Sequence, residues 1–335
     1  MTKTPWRIYG AEMSPYSVKV RGYLRYKSIP HEWIVRTLAR LPEFERHAKL
    51  PLIPLVVSPE GEVMQDSTPI IEALEARFPE NSIHPPDAVA DFASWLLEEF
   101  ADEWGNKWMF HLRWARPVDQ HAAAVRIART LEPDADEAAL EARAETVRHR
   151  MVARVGFVGS SPENAPLIEA SFVDTLRLLD RHLEGRAYLF GERPALADFG
   201  LWGQVQTAWT DPTGYGLVVA HGGRVIDWLH RMAWPHANGD FESWSSLAPT
   251  LDPLLRSQVC RRFLPWTQAN ERAVADGAER FTVEIDGHPW TQRPQRYHAR
   301  SLASLRQRLA TFRDRDQIHE MLAAAGCDQF LRTTP

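Results

Sequence analysis

Three short stretches of the 335-residue sequence bring together residue types that can hold a charged ligand. In "EMSPYSVKVRGYL", Ser14 and Pro15 stand at the start of an amphipathic run. Val18, Tyr23 and Leu24 fall at helical spacing, and Lys19, Arg21 and Arg25 are free to face water. Proline suits a first helical turn, whose N–H has no intrahelical partner, and this leaves Ser14 as the N-cap. A helix N-terminus is also a good place to hold an anion. Pro54, in "LIPLVV", follows an exposed connection and precedes a strand. That position suits either an edge strand or a cis proline shaping a binding loop. Asp66-Ser67 open a further helix, where free N–H groups and the helix dipole favour a carboxylate ligand.

The elements that must position these residues alternate. "WRIYG" predicts a strand, Pro15 to Ser28 a helix, "HEWIVR" a strand and Pro42 to Lys49 a short helix. Pro54 to Gln65 reads as a hairpin around the turn "PEG", and Ser67 starts a helix that ends before Pro79. The order β-α-β-α-β-β-α is a small mixed sheet with helices on its faces. "PENSIHPPDA", Pro79 to Ala88, reads as a linker. Helical periodicity then dominates to about Gly277, with segments over Ala88–Trp114, Asp134–Val155, Glu163–Leu183, Arg224–Met232 and Leu251–Ala275. Beyond it, "FTVEIDGHPW" predicts a hairpin turning at Asp286-Gly287. Leu302, Leu305, Leu309 and Phe312 form one helical stripe, and Gly326 closes a second helix. This tail is too apolar for disorder and must fold back, either over a cleft or as a collar on its far side.

The formal net charge of −5 points to neither a nucleic acid nor an anionic membrane as partner. No apolar run approaches the ~20 residues of a membrane span. "MTKTPWRIYG" lacks the apolar core of a secretion signal. With only two cysteines, Cys260 and Cys327, no disulfide framework is expected and a reducing cytosol is the natural compartment. The 13 histidines show no metal-ligand spacing.

Taken together, "SPYSVKVR", "IPLV" and "QDS" in this element order resemble the cytosolic glutathione S-transferases with a Ser-type active site. The likeness runs from Trp6 to Gly277. It implies an α/β thioredoxin-like N-terminal domain (1–80), an all-α co-substrate domain (88–277) and, outside the match, a small α+β C-terminal extension (278–335). Carried over by position, Ser14 donates a hydrogen bond to the glutathione sulfur. The Ile53 main chain pairs with the cysteinyl backbone, Pro54 fixes its geometry, and Asp66 and Ser67 hold the γ-glutamyl amine and carboxylate. Leu52 stands where a basic residue is usual, so Arg40 and Lys49 are the nearby candidates for the glycine carboxylate. Tyr16, Trp104, Trp108 and His111 are assigned to a co-substrate wall, although tryptophans at helical spacing also suit a core. "ERPALADF" resembles the family's internal helix-start motif, with Asp198 structural and Ala195 where a capping Ser or Thr is usual. The resemblance further implies glutathione as co-substrate, no metal, a small apolar electrophile, and a cytoplasmic homodimer. A non-catalytic binding protein of the same fold is the alternative. Serine stands where a thiol–disulfide exchanger needs cysteine, so that chemistry is not expected.

Overall fold

A computed structural model describes residues 4–332. Its first part comprises β1 (Trp6–Gly10), α1 (Pro15–Tyr26), β2 (His31–Val35), α2 (Leu41–Glu45), β3 (Leu55–Val57), β4 (Val63–Gln65) and α3 (Ser67–Arg77). The sheet order is β2-β1-β3-β4; β2 runs parallel to β1, while β3 and β4 add antiparallel neighbours. This is the thioredoxin-like arrangement. Ile8 and Val56 face one core and Tyr9, Leu55 and Val57 another, so the strands are apolar on both sides.

An all-helical part follows: α4 (Ala88–Phe100), a π-helical turn (Ala101–Gly105), α5 (Asn106–Trp114), α6 (Pro117–Leu131), α7 (Glu137–Val152), α8 (Ala165–His182) and α9 (Leu196–Trp209). It continues with α10 (Pro212–His221), α11 (Gly223–Ala233), α12 (Trp244–Leu254), a second π-helical stretch (Leu255–Phe263) and α13 (Leu264–Ala275). Periodicity alone missed α6, α9, α10 and most of α12. The α9 helix is buried almost all round, so it carries no amphipathic stripe to read. Its start is capped by the motif aspartate. Asp198 accepts N–H bonds from Ala195, Leu189 and the Trp228 indole, each at 2.9 Å, and the Asp198 N–H that a hydroxyl at residue 195 would accept goes to the Ala195 carbonyl at 3.0 Å.

The tail forms the hairpin β5 (Phe281–Ile285) and β6 (His288–Gln292), then α14 (Ser301–Thr311), α15 (Arg315–Ala325) and α16 (Asp328–Leu331). Leu302, Leu305 and Leu309 are buried against the same core as the helical part, and Phe312 packs edge-on to Phe92 of α4 at 5.6 Å. The expectation of no disulfide framework is corrected. Cys260 in the second π-helical stretch is joined to Cys327 as a disulfide, across 67 residues of sequence. Only the return of α15 over that stretch brings them together. Among the described residues no helix is long and apolar enough to cross a membrane.

Candidate functional site

Three parts of the chain meet at a cavity of about 610 Å³. The sheet part contributes Tyr16, Ile53, Pro54, Gln65, Asp66 and Ser67; α4 to α5 contribute Trp95, Glu99, Asp102, Glu103 and Asn106; the tail contributes Tyr297, His298, Arg300, Ser301 and Arg308.

Each wall has a local cause. Ser14 caps α1 and accepts the Ser17 N–H at 3.3 Å, which leaves its own O–H proton to donate elsewhere. The first turn of α1 lies against α9. A side chain at Gly203 would meet the Pro15 carbonyl at 2.6 Å, so glycine permits that approach. The Ile53–Pro54 peptide bond is cis. Gln65 holds the loop before it: its carbonyl accepts the Lys49 and Leu50 N–H groups at 2.8 and 3.1 Å. Its amide donates to the Leu50 and Leu52 carbonyls at 2.9 and 3.0 Å. Asp66 sits at φ 78°, a left-handed conformation uncommon for a residue with a side chain, and makes no side-chain cap. Its carboxylate instead accepts the Tyr297 hydroxyl of the tail.

Lys19 was expected to face water; it is buried. Its ammonium donates to Glu98, to Asp102 at 2.6 Å and to Thr68 at 3.1 Å, tying α1, α3 and α4 together. Burial pulls its pKa down, but the two carboxylates outweigh that and hold it above the ordinary lysine value. Two carboxyls here are pushed the other way. Burial, reinforced by Glu98, raises Asp102 to about 7 against the pull of Lys19, and raises Glu99 to about 8. Burial and the neighbouring Asp102 keep the Tyr16 phenol protonated; its O–H donates to the Asp102 carbonyl at 2.9 Å.

The chain matches the family model "Glutathione S-transferase, N-terminal domain" over residues 8–82. It matches "Glutathione S-transferase, C-terminal domain" over residues 134–239. The chain belongs to the glutathione S-transferase superfamily. Among similar solved structures is a glutathione S-transferase from Methylobacterium radiotolerans in complex with glutathione sulfonate, 20% identical, with TM-score 0.41, covering 71% of this chain and 99% of that one. Another, from Methylobacillus flagellatus with GSH bound, is 23% identical with TM-score 0.40 and covers 67% and 93%. A third, from Rhodospirillum rubrum, is 18% identical with TM-score 0.43 and covers 88% and 99%. No curated protein matches the chain.

In this transferase fold the expected site residues separate into two groups. Tyr16, Ile53, Pro54, Asp66 and Ser67 line the one cavity. Ser14 is not among the lining residues; it stands at the α1 cap, two positions before Tyr16. Arg40 and Lys49 do not line it either, and the cations that do, Arg300 and Arg308, come from the tail. Trp104, Trp108 and His111 are corrected from wall to core. Both indoles donate to Ser171, at 2.9 and 3.0 Å, and His111 lies between Ser160 and Glu169. Trp95 is the tryptophan on the cavity, with the Arg308 guanidinium 3.5 Å from its ring centroid.

Sequence reasoning missed Gln65, Lys19, the tail residues and the acidic face of α4 to α5. For that face the signal was present: Glu99, Asp102, Glu103 and Asn106 recur at i, i+3, i+4 and i+7. Trp104 and Trp108 occupy the opposite face, and periodicity does not say which face meets the cavity.

Proposed function

We propose that the chain is a glutathione transferase that activates the glutathione thiol for attack on a small electrophile. One observation carries the reading: Ile53 and Pro54 before β3, and Asp66 and Ser67 at the start of α3, line a single cavity beside the start of α1. A ligand with an ammonium, a carboxylate and a peptide backbone fits such a set. Asp66 takes the γ-glutamyl ammonium, the α3 N-terminus takes the carboxylate, and the Ile53 main chain pairs with the cysteinyl backbone. Arg300 is assigned to a remaining carboxylate in place of Arg40 or Lys49, because it lines the cavity and the other lining arginine, Arg308, is paired with Glu72.

A free thiol has a pKa near ~8.5 and is only a few per cent ionised at neutral pH. A hydroxyl donor and a helix N-terminus lower that by ~2 units, or ~2.7 kcal/mol in favour of the thiolate. Ser14 has the free O–H proton for this; the Tyr16 hydroxyl, which lines the cavity, is the alternative donor once its proton turns from the Asp102 carbonyl to the sulfur. The thiol proton leaves to solvent, sulfur attacks the electrophilic carbon, and the leaving group departs as a thioether forms. The tripeptide's binding energy keeps the sulfur oriented.

A homodimer completes the proposal; the cytoplasm, expected from the absence of a disulfide framework, loses that ground with the Cys260–Cys327 bond. A two-fold contact is the commonest closed assembly, and light scattering tests it. Any such contact uses a surface other than the crease between α3 and α4, which α14 fills through Arg308, Glu72 and Trp95. The test of the function is calorimetry with reduced glutathione. Asp66→Ala weakens binding by about 1.5–3 kcal/mol, the loss of one charge-assisted hydrogen bond. Unchanged affinity in that variant rejects the site.

A further inference from the structure

One helical face of the cavity carries more hydrogen-bond acceptors than the protein itself uses. Glu99, Asp102, Glu103 and Asn106 follow one another along α4, the π-helical turn and α5, and all four line the cavity. Glu103 meets His298 of the tail. Burial pushes that imidazole down to about 4, so it brings no charge to the carboxylate near neutrality. Asp102 gives Oδ2 to Lys19 at 2.6 Å, while its Oδ1 has no hydrogen-bond partner. The Asn106 Oδ1 has none either. Both residues are more than nine-tenths buried, with 8% and 7% of their surface exposed. Glu99 is half-buried and forms no ion pair among the described residues.

Acceptors withdrawn from water without a donor are costly; burial answers this at Asp102 and Glu99 by holding their protons, and an ammonium ion beside them supplies the missing charge and ionises them. The cation nearest the face is Lys19, already divided between Asp102 and Glu98. A ligand that brings N–H donors and positive charge relieves both deficits, and an apolar one relieves neither. A metal ion fits less well. Among the described residues no three such side chains converge as metal ligands, and these acceptors are strung along two turns of helix. That spread suits an elongated organic cation. The π-helical turn in the middle re-aims the side chains on either side of it, as such turns commonly do at functional sites.

We propose that Glu99, Asp102 and Asn106 form the subsite for an ammonium group on the second substrate, making the electrophile an organic amine rather than an apolar molecule. The inference rests on the transferase reading for what the amine is doing there, but the subsite stands or falls by its own measurement.

Calorimetry on the full chain decides it, with 1,4-diaminobutane, its neutral isostere 1,4-butanediol and MgCl₂ as probes. The diamine binds, the diol does not, and Glu99→Gln weakens the diamine by about 10-fold or more, the effect of one charged hydrogen-bond partner. Glu99→Gln preserves shape at a half-buried position, so folding is retained. Equal binding of diamine and diol, magnesium binding in place of the diamine, or an unchanged diamine affinity in Glu99→Gln overturns the proposal. Glutathione titrated alone separates the two readings: diamine binding without glutathione binding upholds the subsite and rejects the transferase.

Discussion

The Tyr297 hydroxyl donates to the Asp66 carboxylate across 231 residues of sequence, so the tail closes on the start of α3. Tyr297 uses Oδ2 of Asp66 and leaves Oδ1 to a ligand. The contact therefore orients the carboxylate that the proposed function gives to the glutathione ammonium. Tyr297→Phe removes one hydrogen bond, and glutathione binding weakens by about 0.5–1.5 kcal/mol. Calorimetry on the two proteins checks this. Tighter binding in the variant would show that the tyrosine competes with the ammonium.

Ser14 and Tyr16 are two candidate donors to sulfur on the first turn of one helix. Ser14→Ala raises the pKa of bound glutathione and lowers kcat by ~10- to ~100-fold, with little change in glutathione Kd. The check is thiolate absorbance of the glutathione complex against pH, for wild type, Ser14→Ala and Tyr16→Phe. A curve displaced only in Tyr16→Phe transfers the role to Tyr16.

Stability should fall as the solution becomes more alkaline through neutrality. In the folded protein Asp102 and Glu99 keep their protons up to about 7 and about 8, against ordinary values of 3.8 and 4.5. The folded state thus binds more protons than the unfolded chain in that window. Their contribution is complete below about pH 4 and is lost as pH rises through 7 to 8. The charged groups facing Asp102 are Lys19, Glu98, Glu99 and Asp66, with the Tyr16 and Tyr297 hydroxyls beside them. Buried Asp198 is held up to about 7 as well, so Asp102→Asn removes one of three such titrations, and the fall in Tm between pH 6.5 and pH 8, above the range where buried His182 and His298 act in the opposite sense, shrinks. A difference as large as in wild type would take Asp102 out of the account.

The tail is part of the core as well as part of the cavity. Leu309 is almost fully buried, and Leu309→Ala costs about 2–5 kcal/mol in urea unfolding. Leu309 does not line the cavity, so glutathione affinity measured in folded protein stays at the wild-type value. Truncation before Phe281 uncovers Phe92, Trp95 and the face of α4 beneath them, and the product is insoluble rather than altered in selectivity.

Much of the frame was legible because it rests on short-range physics. The order of the first seven elements, the hairpin turning at Asp286-Gly287 and the stop at Gly326 follow from periodicity and turn chemistry. The α1 cap is equally local, since Ser14 and Pro15 act on the turn they begin. The helices α6, α9, α10 and α16 and most of α12 were not legible. The stripe that reveals a helix is lost where a helix is buried on every side, as α9 is.

The identity of the cavity walls depended on the tertiary structure. Lys19 reads as a surface residue on its own helix, and only the approach of α4 supplies the carboxylates that make its burial tolerable. Trp104 and Glu103 are sequence neighbours, yet one fills the core and the other lines the cavity. A helix's period shows that two faces differ, not which neighbour each will meet. Cys260 with Cys327 and Asp66 with Tyr297 are contacts between segments 67 and 231 residues apart. Local sequence carries no signal for them, because they exist only once the tail has packed.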